Sequence, residues 1–182
     1  ARLEQDSLTD PLTGLGNRRD FYNFFSIAFV GASSRKRLFS LGIADIDRFK
    51  VINDTYGHEV GDKVLCHVSD IPRSHGPESD KLYRWGGEEF AVLMPACTME
   101  QAVAVAERIR LRVEENAFTE AVPEPVALTI SIGLYCGDEA RDQDVPIRVA
   151  EANLSAAKAA GRNRVVCDAR DPRRRDRATS LY

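Results

Sequence analysis

The chain has 182 residues, 43% hydrophobic and 29% charged, which is enough to enclose one sizeable core and too few to require two. A formal net charge of −3 leaves no electrostatic footprint for duplex nucleic acid, and no apolar run approaches the roughly 20 residues of a membrane-spanning helix. The four cysteines lie far apart without a C-x-x-C pair or a Cys/His cluster, so they read as small core hydrophobes in a reducing, cytoplasmic setting, with no disulfide and no structural zinc expected.

Taken in chain order, residues 1–9 read as the end of a longer stalk helix, which makes this a domain cut from a larger protein. Residues 10–168 form the domain proper, and 169–182 a charged tail. Asp10 to Asn17 is dense in turn formers, and from Arg18 to Val30 the residues Phe21, Phe24, Phe25, Ala28 and Phe29 recur at helical spacing. The near-continuous apolar run Leu38 to Ile46 predicts a central strand ending at Asp45 and Asp47. A short turn over Val51 to Tyr56 precedes a helix from His58, which Pro72 should end. Residues 73–79 read as loop.

Lys81 to Tyr83 and Phe90 to Met94 predict two strands, placing Gly86-Gly87 in a tight hairpin turn where glycine supplies positive φ. A helix from Thr98 to Glu115 carries Ala102, Val105, Ala106, Ile109 and Val113 on one face, and Thr98 with Gln101 suits a capping box. Val126 to Tyr135 predicts a strand, Pro146 to Ala160 a helix closed by Gly161, and Asn163 to Cys167 a last short strand. The expected fold is an α/β sandwich, a mostly antiparallel central sheet flanked by helices.

Three clusters carry chemistry. Asp45 and Asp47, two apart at a strand end, share a face and can approach one divalent cation, although such a pair can equally cap a helix. Glu88 and Glu89 follow the hairpin glycines, so one carboxylate can face a ligand while its neighbour supports the loop. The bland alternative is an ordinary hairpin with solvated glutamates. With Lys50 nearby, these acids outline an oxygen-rich Mg²⁺ or Mn²⁺ site for phosphoryl transfer. Asn53, His58 and Asp62 follow within a dozen residues, and an amide with a carboxylate can read guanine, though Asn53-Asp54 also makes a plain turn. Lys158, Gly161 and Arg162 place cations at a helix C-terminus, where they complement the dipole with or without a phosphate.

These segments resemble the GGDEF family, the diguanylate cyclases. The resemblance rests on DPLTGLGNRRDF at Asp10 to Phe21, DIDRFKVINDTYGHEVGD at Asp45 to Asp62, RWGGEEF at Arg84 to Phe90, LTISIG at Leu128 to Gly133 and KAAGRNRV at Lys158 to Val165. It implies a fold like the palm of nucleotidyl cyclases and polymerases, and an enzyme condensing two GTP into cyclic di-GMP with release of two pyrophosphates. It further implies that Asp45, the Ile46 carbonyl and Glu88 hold the metal and that Glu88 acts as general base. Lys50 would stabilise transition-state charge, Asn53, His58 and Asp62 would contact substrate, and Lys158 with Arg162 would contact the terminal phosphates. Catalysis would need a homodimer with two domains face to face, under an upstream sensor that can tether the whole protein to a membrane, with no membrane contact by this segment itself. The rival readings are a non-catalytic module that binds GTP or cyclic di-GMP, and a cyclase using ATP, which Asp62 disfavours.

The sequence departs from the family pattern before the hairpin. The inhibitory product site, R-x-x-D, is replaced by Pro77-Glu78-Ser79-Asp80, so weak product feedback is expected, with Arg108 or Arg110 as the remaining arm. In the last helix a tyrosine of the pattern is replaced by Ser155, while Lys158 is kept.

Overall fold

The computed structural model describes residues 7–35, 38–73, 81–137 and 142–167. The expected stalk up to residue 6, the loop at 74–79, the Pro77 register and the charged tail lie outside the described residues. Among the described residues, five strands and five helices follow in the order α1 (Arg18–Arg35), β1 (Phe39–Ile46), α2 (Phe49–Tyr56), α3 (His58–Arg73), β2 (Lys81–Arg84), β3 (Glu89–Pro95), α4 (Met99–Glu115), β4 (Ile130–Gly137), α5 (Asp144–Ala159) and β5 (Val165–Cys167).

The strands form one sheet in the order β2-β3-β1-β4-β5. Every neighbouring pair is antiparallel except β4 with β5, in keeping with the mostly antiparallel expectation. The strand β1 is buried along its whole length because it lies at the centre with helices over both faces. Its alternation divides the interior in two. Leu41 and Ile43 join Phe21, Phe25 and Phe29 of α1 and Val149, Ala150 and Leu154 of α5. Ala44 and Ile46 face the opposite cluster, with Ile52 of α2, Val64 and Val68 of α3, and Ala102, Ala106 and Val113 of α4.

Several expectations need correction. The turn expected over Val51 to Tyr56 is a helix, α2, which opens at Phe49 and buries Phe49 and Ile52. Here tertiary burial outweighs the turn propensity of Asn53-Asp54. The helix α3 runs to Arg73, so Pro72 falls within its last turn rather than ending it. The strand β4 starts at Ile130, four residues later than expected, because Val126 pairs with Phe118 in an isolated bridge. Finally, the hairpin turn is wider than two residues: Arg84 pairs with Phe90, and the Trp85 and Gly86 amides both donate to the Glu89 carbonyl. Neither Gly86 nor Gly87 has positive φ; among the described residues the glycines that do are Gly14, Gly57 and Gly161.

Two contacts position the site. The helix α5 lies directly on β4 at Gly133, where a Cβ would collide with the Ala150 carbonyl and the Leu154 amide. The Asn153 amide group adds a bond of 2.7 Å to the Leu134 carbonyl. At the other edge Trp85 is buried against Phe21, edge to face at 4.8 Å between centroids, with the Arg18 guanidinium 4.4 Å from its ring.

Candidate active site

Asp45, the last residue but one of β1, is buried and lies directly opposite Glu89 of β3 in the register. The Ile46 amide donates to the Glu88 carbonyl at 3.3 Å, which joins the hairpin loop to the end of the central strand. Two adjacent backbone contacts thus bring the acids of separate motifs together. Arg84 holds the loop from inside: its guanidinium donates to the Gly86 carbonyl at 2.6 Å and to the Gly87 carbonyl. The same group stands 3.9 Å from Asp10, whose carboxylate accepts from the Thr13 amide and hydroxyl. The sequence does not reveal Arg84 as a positioning residue, because its partners are loop carbonyls, which leave no mark in a sequence.

Lys158 comes down from the last turn of α5 to place its ammonium 2.8 Å from Asp45 Oδ2. In this structure its partner is therefore a carboxylate, and reaching a phosphate would require it to share or exchange that partner. Burial raises the carboxyl pKa of Asp45 above its ordinary value, and Asp47 adds to the rise while Lys158 and Arg162 oppose it. Burial likewise raises Glu88 and Glu89, each pushed further by Asp45 and held back by Lys158. Three repelling carboxylates around one ammonium form a site with surplus negative charge.

That charge and the hard oxygen donors suit Mg²⁺ or Mn²⁺. Among the described residues no three His, Cys, Asp or Glu side chains are gathered tightly enough to enclose an ion, so the fit is one of donor type and charge.

Asp47 does not join this group. Its carboxylate accepts from the Ser131 hydroxyl at 2.7 Å, the Thr129 hydroxyl at 2.8 Å and the Asn163 amide at 3.0 Å. The expectation that Asp45 and Asp47 approach one cation together therefore fails, since three protein donors already satisfy Asp47. Its task is to hold the loop after α5, where Arg162 and Asn163 both adopt left-handed conformations at φ of 63° and 47°. Arg110 reinforces that loop from α4 by donating to Asn163 Oδ1 at 2.8 Å and to Glu107 and Glu114. Arg110, expected as an arm for product feedback, is thus engaged within its own domain; Arg108 is exposed. Arg162 lines a cavity of about 410 Å³ between α2 and this loop, with Arg48, Val51, Tyr56 and Thr129 among its other walls.

The remaining residues lie on α2 and α3. Lys50 is exposed on the first turn of α2 and His58 is exposed at the start of α3. Asn53 packs its side chain against Gly61, where any Cβ would overlap Asn53 Oδ1. That oxygen is buried without a hydrogen-bond partner. Asp62, exposed, follows Gly61 directly. An unpaired buried acceptor beside an exposed carboxylate is an arrangement that a ligand carrying several N–H donors would satisfy.

The model of the family described as "Diguanylate cyclase, GGDEF domain" matches residues 7–164. The chain belongs to the GGDEF family. Among solved structures it is similar to the coiled coil and GGDEF domain of DgcB from Caulobacter crescentus in complex with c-di-GMP, at 30% identity and a TM-score of 0.84, covering 92% of this chain and 88% of that one. It is also similar to the diguanylate cyclase SiaD from Pseudomonas aeruginosa, solved with its activator SiaC, at 34% identity and a TM-score of 0.84, covering 92% and 64%. An uncharacterized membrane protein of Staphylococcus epidermidis is 37% identical over 167 residues, which are 91% of this chain and 47% of that protein. This GGDEF chain thus spans about half the length of that relative. The palm-like fold of the nucleotidyl cyclases is the fold of this domain. Among its described residues, no helix is long and apolar enough to cross a membrane.

Proposed function

We propose that this domain is a diguanylate cyclase, condensing two GTP into cyclic di-GMP with release of two pyrophosphates. The observation that carries the reading is the group formed by Asp45, Glu88 and Lys158, where burial raises both carboxyl pKa values, and Asp45 raises that of Glu88 further, beside one ammonium. A purely binding module has no need of such charge.

Each domain holds one GTP, and the 3′-hydroxyl of one must attack the α-phosphorus of the other in line, so two domains meet face to face. Asp45, Glu88 and the Ile46 carbonyl would hold Mg²⁺ or Mn²⁺, which supplies Lewis-acid stabilisation of charge on the phosphates when bound. Glu88, with its raised pKa, accepts the hydroxyl proton as the new P–O bond forms and the bond to the pyrophosphate oxygen breaks. Lys50, Lys158 and Arg162 counter the charge gathering on the phosphates, and Lys158 exchanges Asp45 for phosphate as substrate arrives. Asn53 Oδ1 and Asp62 accept from the guanine N–H groups, and His58 adds a further substrate contact. The upstream part of the protein would carry the sensor that controls pairing, and a membrane tether there would leave this domain in the cytoplasm.

Incubation with GTP and Mg²⁺ or Mn²⁺, with products resolved by mass, tests the reading. One cyclic di-GMP and two pyrophosphates per two GTP are expected. Saturable GTP or cyclic di-GMP binding without turnover would establish the regulatory module instead.

A further inference from the structure

At the end of the sheet opposite Asp45, β4 and β5 bring two cysteines together. Asp45 pairs with Ser131 near the start of β4, whereas Ser40, near the start of β1, pairs with Cys136 near the end of β4. Because β5 runs parallel to β4, with Leu134 opposite Cys167, its last residue falls at that same far end. The two sulfurs are 3.5 Å apart and share a hydrogen bond. Both side chains are half-buried, packed at the border of the cluster under α4. None of the four cysteines is in a disulfide, so all four are thiols.

We propose that Cys136 and Cys167 form an oxidisable dithiol, which hydrogen peroxide converts to an intramolecular disulfide. The hydrogen bond from Cys167 pulls the Cys136 thiol down to about 7, with Ser40 assisting, so a large share is thiolate near neutral pH. The Cys136 thiolate attacks one peroxide oxygen; the S–O bond forms, the O–O bond breaks, and the hydroxide expelled takes up a proton to leave as water. Cys167 then attacks the sulfenic sulfur, the S–S bond forms as the S–O bond breaks, and the thiol proton leaves with the hydroxyl as a second water. Two electrons pass from the dithiol to one peroxide. The sulfurs must close from 3.5 Å to about 2.05 Å. The movement required is confined to the end of β5, since Cys167 is its last residue and Cys136 lies beyond the rungs that pair β4 with β5.

The cross-link would tie the end of β4 to the end of β5, closing the segment that contains α5 and carries Lys158 and Arg162. The cysteines read as inert core hydrophobes in the sequence because 31 residues separate the pair, and no local spacing reveals it.

The test treats the purified chain with hydrogen peroxide, alkylates the remaining thiols and maps the digest by mass. The expected result is loss of two of the four thiols, one cross-linked Cys136–Cys167 peptide, full reversal by dithiothreitol, and the same cross-link in a Cys66→Ser/Cys97→Ser variant. In Cys167→Ser, Cys136 should stop at a sulfenic acid that dimedone traps. Preferential oxidation of Cys66 or Cys97, an intermolecular disulfide, or over-oxidation of Cys136 in the wild-type chain without a cross-link would each overturn the proposal.

Discussion

At the scale of single residues, Glu88 has two properties that a substitution separates. Glu88→Gln removes a proton acceptor and a candidate metal ligand, so cyclic di-GMP synthesis should fall by about 10²- to 10⁴-fold with an unchanged circular dichroism spectrum. Near-normal turnover would remove Glu88 from the chemistry. The same change should alter stability in the opposite sense. The folded-state pKa of Glu88 is raised, so the stability linked to its protonation is fully present below the unfolded pKa and lost as pH rises through the folded one. In metal-free buffer the wild-type chain should therefore lose stability to urea as pH rises above the ordinary carboxylate range, and Glu88→Gln should flatten that slope. Asp62 bears on specificity rather than rate. Asp62→Ala should weaken GTP binding and relax discrimination against ATP, by up to about 10³-fold, because adenine lacks the N1 and N2 donors of guanine. Equal GTP-to-ATP selectivity ratios in variant and wild type would count against the guanine contact.

At the scale of elements, the position of α5 decides where Lys158 ends. Gly133→Ala places a methyl against the backbone of Ala150 and Leu154, where no flexible side chain can yield, so the helix must lift from β4. Overpacking of this kind costs about 1–3 kcal/mol, measurable by urea denaturation, and activity should fall with stability because Lys158 moves away from Asp45. Much of this layer is legible in the sequence: the face of α1 set by Phe21, Phe25 and Phe29, the cap of α4 at Thr98 and the central burial of β1 follow from periodicity. The residues Asp45, Glu88, Asn53, Asp62, Lys158 and Arg162 are legible through motif resemblance. What escapes is long-range. Asp47 looks equivalent to Asp45 in the strand, yet its partners Thr129, Ser131 and Asn163 stand 82 to 116 residues away. The α2 helix escapes for another reason, since its turn-forming residues are overruled by burial of Phe49 and Ile52.

At the scale of the molecule, a cyclase reading makes the domain half of a catalyst. Specific activity should then fall on dilution, approaching a second-order dependence of total rate on protein concentration, and fusion to an N-terminal dimeric coiled coil should restore it. A dilution-independent specific activity in a protein that sediments as a monomer would show that one domain suffices. The three hydrogen bonds on Asp47 also bear on synthesis of the chain. Ser131 and Asn163 must both have left the ribosome before that carboxylate can be satisfied and the Arg162 loop fixed. A nascent chain that ends between Phe90 and Asn163 carries Glu88 and Glu89 without the finished Arg162 loop, so on the cyclase reading the capacity to make cyclic di-GMP would arise only when translation of the domain is nearly complete.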